Sequence, residues 1–273
     1  MTLRLAASNI AWEPSDDDAA AAVLREHGFA AVEIAPTKWW DKPLEAPAPE
    51  IAEQRTGWAA REVPIVAMQA LLFGRPDLQL FGSPVQRDEL RAYLHGIIDL
   101  AASLGVRVLV FGSPKNRRRG SLSMVEAMRV AVPFFRAIGE HAAVHRMAFC
   151  IEPNPAAYDC DFITTMDEAF ELDREVSQAG FMVHADLGGM TVNGEDPGLA
   201  LARAPERLGH VHVSEPYLAE IGTGGAAHER AAAALHAIGY SGWVSIEMKA
   251  AGQDRLAALS RACALVASVY GSR

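Results

Sequence analysis

The sequence predicts a single α/β domain spanning residues 1–273, folded as a (β/α)8 (TIM) barrel. Three observations carry this expectation. Eight short apolar segments alternate with longer helical ones at a spacing of roughly 30 residues, the repeat of such a barrel. Most of the short segments are continuous apolar runs, as in parallel strands covered on both faces. Four of them carry a Glu, Asp or His near their C-terminal ends, where barrels of this class place their active sites. No GxGxxG follows the first strand, as a dinucleotide-binding alternative would require.

Leu3 to Ser8 reads as the first strand, and Ser15 with Asp16, Asp17 and Asp18 opens a helix running towards Gly28. Ala31 to Ala35 is the second strand. A proline-rich loop from Pro43 to Pro49 precedes a short helix ending near Arg61, and Pro64 to Met68 is the third strand. Phe73 to Pro84 is punctuated by Gly and Pro as a loop, and a helix from about Gln86 to Leu104 closes at Gly105. Val106 to Phe111 is strand four, Gly112 to Gly120 its loop, and Ser123 to His145 the next helix. Met147 to Ile151 is strand five, followed by a loop and a helix near Met166 to Gln178. Phe181 to Asp186 is strand six, with a glycine-rich loop and a short helix near Pro197 to Ala204 behind it. Leu208 to Val213 is strand seven, followed by the loop with Gly222 to Gly225 and a helix from about Ala227 to Ile238. Trp243 to Glu247 is strand eight, and a last helix runs from about Asp254 to Tyr270.

The strand ends carry the chemistry. Strand five ends in Glu152, six in Asp186, seven carries His212 and eight ends in Glu247. Three carboxylates and one imidazole form a hard, oxygen-rich set suited to one divalent ion such as Mn²⁺, Mg²⁺, Co²⁺ or Zn²⁺. Unpaired acids are rarely buried, so three of them with a histidine at four matching strand ends point to a common centre. Strand side chains alternate between faces. Cys150 therefore points inward with Glu152, His184 with Asp186, His210 with His212, and Ser245 with Glu247. His184 is expected to approach the substrate and His210 to support the ligands from behind. Lys249 shares the inward parity of Glu247. The basic loop Lys115 to Arg119, after strand four, is expected at the same mouth, with Lys115 gripping an anionic group of the substrate. Trp12, Trp39, Trp40, Phe73 and Tyr217 fall in or near loops after strands and could wall a pocket.

Composition narrows the partners. A net charge of −9 argues against nucleic acid or an anionic membrane surface. Three cysteines without CxxC spacing suit a reducing compartment. No signal-peptide layout opens the chain, and no apolar run reaches the ~18 residues of a membrane span. A cytoplasmic protein acting on a small sugar or polyol is expected, with homo-oligomerisation left open.

At Ile151-Glu152-Pro153-Asn154, Asp186 with Gly188-Gly189, His210 to Glu215, Gly222-Thr223-Gly224 and Ile238 to Glu247, the chain resembles the xylose isomerase-like barrels. These include sugar-phosphate isomerase/epimerase proteins, ketose 3-epimerases, inosose dehydratases and endonuclease IV. The resemblance implies that Glu152, Asp186, His212 and Glu247 bind one divalent metal, with Glu152 and Glu247 as acid and base on opposite sides of the substrate. Asn154, in the first motif, is expected to touch the substrate. Two positions depart from the epimerases. Gly189 stands where they usually carry a substrate-binding histidine, and Leu218 where they usually carry an arginine. The metal site transfers; their ketose pocket does not. Gln69 and Gly189 also remove histidines that a three-metal endonuclease needs.

The activity implied is isomerisation or epimerisation of a sugar-derived α-hydroxy-carbonyl compound through a metal-stabilised enediolate. The alternatives are a metal-dependent dehydratase or lyase of a keto-polyol, of the inosose or dehydroshikimate type, and a non-catalytic sugar-binding barrel.

Overall fold

The computed structural model describes residues 2–249 and 252–271. Eight parallel strands pair in chain order and close into a barrel by the return of the last to the first. They are β1 (Arg4–Ser8), β2 (Ala31–Ile34), β3 (Ile65–Met68), β4 (Val108–Phe111), β5 (Ala148–Ile151), β6 (Phe181–Asp186), β7 (Leu208–Ser214) and β8 (Trp243–Glu247). The helices are α1 (Asp17–Glu26), α2 (Ala48–Ala60), α3 (Pro84–Leu104), α4 (Met124–Val144), α5 (Met166–Val176), α6 (Leu187–Asn193), α7 (Pro197–Ala202), α8 (His228–Ala237) and α9 (Arg255–Tyr270). The (β/α)8 TIM barrel read from the sequence is the fold observed.

Local chemistry explains the boundaries. Ser83 Oγ accepts from Gln86 N while Gln86 Oε1 accepts from Ser83 N, a reciprocal cap that starts α3. Ser123 and Glu126 do the same for α4. Gly105, at φ 83°, ends α3 in a left-handed turn that costs other residues strain. One expectation fails. The glycine-rich stretch after Asp186 is the short helix α6, because the Asp186 carboxylate accepts from Gly189 N at 2.6 Å and caps it.

Alternation along the strands sorts the two layers. Val32, Ile34, Val183, Ala185, Val211, Val213, Val244 and Ile246 face the helices in the main apolar core. Inside the barrel lie a small apolar plug of Ala67, Val108 and Cys150 and a polar group. That group, Glu33, His184, His210, His212 and Ser245, is wholly buried. Register irregularities fall between Val32 and Glu33 and between Val183 and His184. Such bulges re-aim side chains near active sites, and here they turn a carboxylate and an imidazole into the barrel. Among the described residues no helix is long and apolar enough to cross a membrane.

Candidate metal centre and active site

Four strand ends converge. Ligand atoms of Glu152, His184, Asp186 and His212 lie within 4.8 Å of one another. Glu247 Oε2 stands 3.2 Å from His212 Nδ1. That approach lacks hydrogen-bond geometry, and Nδ1 is a buried nitrogen with no hydrogen-bond partner. An orphaned imidazole nitrogen facing carboxylates is what a cation would satisfy. Asp186 is held on both oxygens: Oδ1 accepts from Gly189 N, and Oδ2 accepts from Ser214 Oγ, which itself accepts from Gly188 N at 2.8 Å. Gly112, at the end of β4, leaves room for the first glutamate. A Cβ there would stand 2.0 Å from Glu152 Oε2. The residues present therefore fit a divalent ion.

Behind the centre is a residue that sequence reasoning missed. Glu33 Oε2 lies 3.0 Å from His212 Nε2, and its Oε1 lies 3.4 Å from His210 Nε2. Donation from Nε2–H to Glu33 fixes the imidazole tautomer and leaves Nδ1 facing the mouth. Burial disfavours the Glu33 charge, but His212 and His210 outweigh burial and hold its carboxyl well below the usual range. Burial likewise disfavours protonated His212, but Glu33 and Glu247 outweigh it and hold that imidazole well above its ordinary value. The available signal was an acid inside the apolar run of β2, where both strand faces are buried. Glu33→Gln keeps the shape and removes the charge. Its divalent-metal affinity is expected to fall roughly 10- to 100-fold, as outer-shell changes usually cause. Competition against a chromogenic chelator measures it, and an affinity within threefold of wild type contradicts the role.

Crowding of carboxylates sets a pH dependence. Burial, then the Glu247 and Asp186 charges, push the Glu152 carboxyl up to about 8, against His212 and Arg117. Burial, then Glu247, push Asp186 up to about 6. A raised carboxyl binds its proton more tightly folded than unfolded, so these groups favour the metal-free fold at low pH and oppose it as pH rises through about 6 and about 8. A cation binds the deprotonated form and releases those protons. Apparent affinity for Mn²⁺ should therefore climb between pH 6 and 8, by about tenfold per pH unit for each proton released. Calorimetric titration in buffers of differing ionisation heat reads both affinity and protons; a flat profile contradicts the coupling.

The mouth above the centre is a cavity of about 300 Å³ lined by Ser113, Pro114, Glu152, Asn154, Tyr158, Asp186, Glu215, Tyr217, Leu218, Glu247 and Lys249. Ser113, Tyr217 and Leu218 are non-glycine residues with positive φ, strain of the kind that gathers at functional sites. The Tyr158 and Tyr217 rings meet edge to face at 5.3 Å, and Tyr158 Oη accepts from Tyr217 N. Glu215, buried, ties the following loop by accepting from Gly222 N, Ala226 N and His228.

The sequence-expected residues fare unequally. Glu152, Asp186, Glu247, Asn154 and Lys249 line the cavity. Asn154 Oδ1 also accepts from Arg117. His210 is wholly buried and approaches the Glu33 carboxylate that also holds His212. His184 does not line the cavity; it is wholly buried, its ring crossing that of His212 at 4.2 Å, and one of its ring nitrogens joins the Glu152, Asp186 and His212 ligand atoms. Lys115 does not line the mouth either. Pro114–Arg117 winds into a short 3-10 turn that turns Lys115 to solvent and buries Asn116 and Arg117. Arg117 donates to the carbonyls of Glu152, Phe162 and Ile163 and is unavailable to a substrate. Of the aromatics named from sequence, Tyr217 alone lines the cavity; Trp12 is buried against Trp58. Tyr158 was missed, because its approach depends on a loop path that no periodicity encodes.

The fold has solved counterparts. The 3-keto-D-glucoside 4-epimerase YcjR from E. coli superposes with a TM-score of 0.80 at 18% identity, covering 97% of this chain and 99% of that one. The D-psicose 3-epimerase from Clostridium cellulolyticum H10, solved with D-tagatose, gives 0.82 at 17% identity, covering 99% and 100%. The IolI protein, solved with a zinc atom, gives 0.77 at 15% identity, also covering 99% and 100%. No curated protein matches the sequence. The pattern of the xylose isomerase-like TIM barrel family matches residues 21–268. The chain belongs to the xylose isomerase-like TIM barrel family.

Proposed function

We propose that the chain is a divalent-metal-dependent isomerase or epimerase of an uncharged sugar or polyol bearing a carbonyl beside a hydroxyl. The observation that carries this reading is the joint presence of Glu152 and Glu247 on one small cavity directly above the Asp186–His212 pair. Glu152, Asp186, His212 and Glu247 would hold the ion, drawn from Mn²⁺, Mg²⁺, Co²⁺ or Zn²⁺. When bound there, it supplies Lewis acidity to the substrate's carbonyl oxygen.

The protein supplies the rest. Glu152 and Glu247 stand at the ends of β5 and β8, three strands apart, so a substrate between them meets a carboxylate oxygen on each side. One takes the C–H proton next to the carbonyl, and the other delivers a proton to the opposite face or the neighbouring carbon. The Tyr158–Tyr217 pair and Leu218 offer apolar surface to the ring carbons of a sugar. Glu152, Asp186, Glu215 and Glu247 against Lys249 make the lining predominantly acidic, which disfavours phosphorylated substrates. The sugar epimerases with this fold support the reading at the level of substrate class.

Incubation of the metal-loaded protein with ketoses and keto-cyclitols in D₂O tests it. Solvent deuterium on a carbon next to the carbonyl, without loss of water, is the expected result. A product lighter by one water assigns a dehydratase instead. Neither change across the panel rejects catalysis and leaves a sugar-binding barrel.

A further inference from the structure

We propose that the barrel carries a second divalent-metal site, of the zinc or nickel type, formed by Asp99, His141 and His145 where α3 and α4 meet at the end remote from the mouth. Asp99 lies in the last turns of α3, His141 in the last turn of α4, and His145 is the residue that caps α4. His141 and His145 are four apart, so their imidazoles share one face of α4. The neighbouring helix supplies the carboxylate. Both Nε2 atoms converge on a single oxygen: Asp99 Oδ1 is 2.8 Å from His141 and 3.0 Å from His145.

Hydrogen bonding accounts for only one of these two contacts. The His141 contact has hydrogen-bond geometry, whereas the His145 contact is close without it. The same signature marks His212 Nδ1 and Glu247 in the mouth, a 3.2 Å approach with no hydrogen bond. In both places one imidazole nitrogen stands close to a carboxylate oxygen without a hydrogen bond to it. The three ligand atoms lie within 4.8 Å of one another. A tetrahedral zinc ion with ~2.0–2.2 Å bonds spaces its ligand atoms by roughly 3.3–3.6 Å, which small side-chain rotations reach from here.

The surroundings hold this arrangement. His95, one turn before Asp99 on α3, stacks flat on His141, with ring centroids 4.2 Å apart and an angle of 9°. Arg107 donates to the His145 carbonyl at 3.1 Å and fixes the chain leaving α4. The side chains of His141, His145 and Asp99 remain 28%, 31% and 57% exposed, so an ion can enter from solvent.

Two imidazoles with one carboxylate select borderline metals such as Zn²⁺, Ni²⁺ and Co²⁺ over Mg²⁺. The mouth, with three carboxylates to one imidazole, is the harder site. Location at the N-terminal ends of the strands assigns the second ion to stability. It ties two adjacent barrel helices together and binds only the folded chain.

Zinc titration of the chelator-stripped full chain against a chromogenic chelator tests the site. Wild type is expected to bind two equivalents of Zn²⁺. The double variant His141→Ala/His145→Ala should lose one of them and part of the zinc-induced rise in Tm. Circular dichroism confirms that this solvent-facing variant folds, and Asp99→Asn gives a second, smaller change at the same site. Wild type binding one equivalent that the double variant loses upholds this site and rejects the mouth as a zinc centre. Unchanged stoichiometry and affinity in the double variant, or a second equivalent bound only at millimolar zinc in both proteins, overturns the proposal.

Discussion

Glu152→Gln and Glu247→Gln should each give a folded protein whose kcat falls on the order of 10²-fold or more, the usual contribution of a general acid or base. Glutamine preserves length and one carbonyl oxygen but can neither take nor return a proton. Each glutamate is also a candidate ligand, so the comparison requires saturating metal with occupancy measured on the same sample. A loss due only to weak metal binding would be recovered at high Mn²⁺; a loss of proton transfer would not. Both residues line the same cavity, and the other carboxylates there are engaged: Asp186 accepts from Gly189 N and Ser214 Oγ, and Glu215 from Gly222 N, Ala226 N and His228. Lys249 is exposed at the rim, and His212 is committed to Glu33 on its far side. Solvent-deuterium incorporation separates the two glutamates. If one removes the proton and the other returns it, one variant should lose exchange with substrate altogether, while the other retains exchange but forms no product. Uptake undiminished in both variants would end the two-glutamate mechanism.

What could be read from the chain follows from where physics leaves a mark on it. Strands of a parallel barrel are buried on both faces, so Glu152, Asp186, His212 and Glu247 stood out against apolar runs, and the period of two placed His184 and His210 inside. The same logic applied to Ala31-Val32-Glu33-Ile34 identifies Glu33. It lies within its strand rather than past the end, so it has no turn or loop beside it to mark it as part of the mouth. Loops leave no comparable mark. Whether Lys115 to Arg119 faces the mouth depends on the turn that Pro114 initiates after the left-handed Ser113. Whether Tyr158 joins Tyr217 depends on the path from Pro155 to Asp159. The helix α6 was hidden for a related reason. Gly188 and Gly189 read as loop formers, yet the Gly189 N–H is capped locally by Asp186, and the Gly188 N–H is satisfied by Ser214, a pairing that exists only once β6 and β7 are adjacent.

Arg117 carries the second large effect, on stability. Its side chain is wholly buried, and its guanidinium donates to the carbonyls of Phe162 at 3.0 Å, Ile163 at 3.3 Å and Glu152 at 2.5 Å, and to Asn154 Oδ1 at 3.1 Å. The planar fork joins the end of β5 to the loop before α5, a span that a single ammonium cannot cover. Arg117→Met retains much of the volume but leaves those buried acceptors without donors. Stability should fall by about 3–5 kcal/mol, and Tm by on the order of 10 °C for a chain of this size. Because one acceptor is the backbone of Glu152, metal affinity should weaken as well. Lys115→Ala, two residues earlier but exposed, should change stability by no more than about 0.5 kcal/mol and leave KM unaltered. The two variants together separate a structural clamp from an anion grip. A stable Arg117→Met protein with raised KM, or a Lys115→Ala protein with raised KM, would return the basic loop to the substrate. A large stability loss confined to Arg117 keeps it as the clamp that positions Glu152.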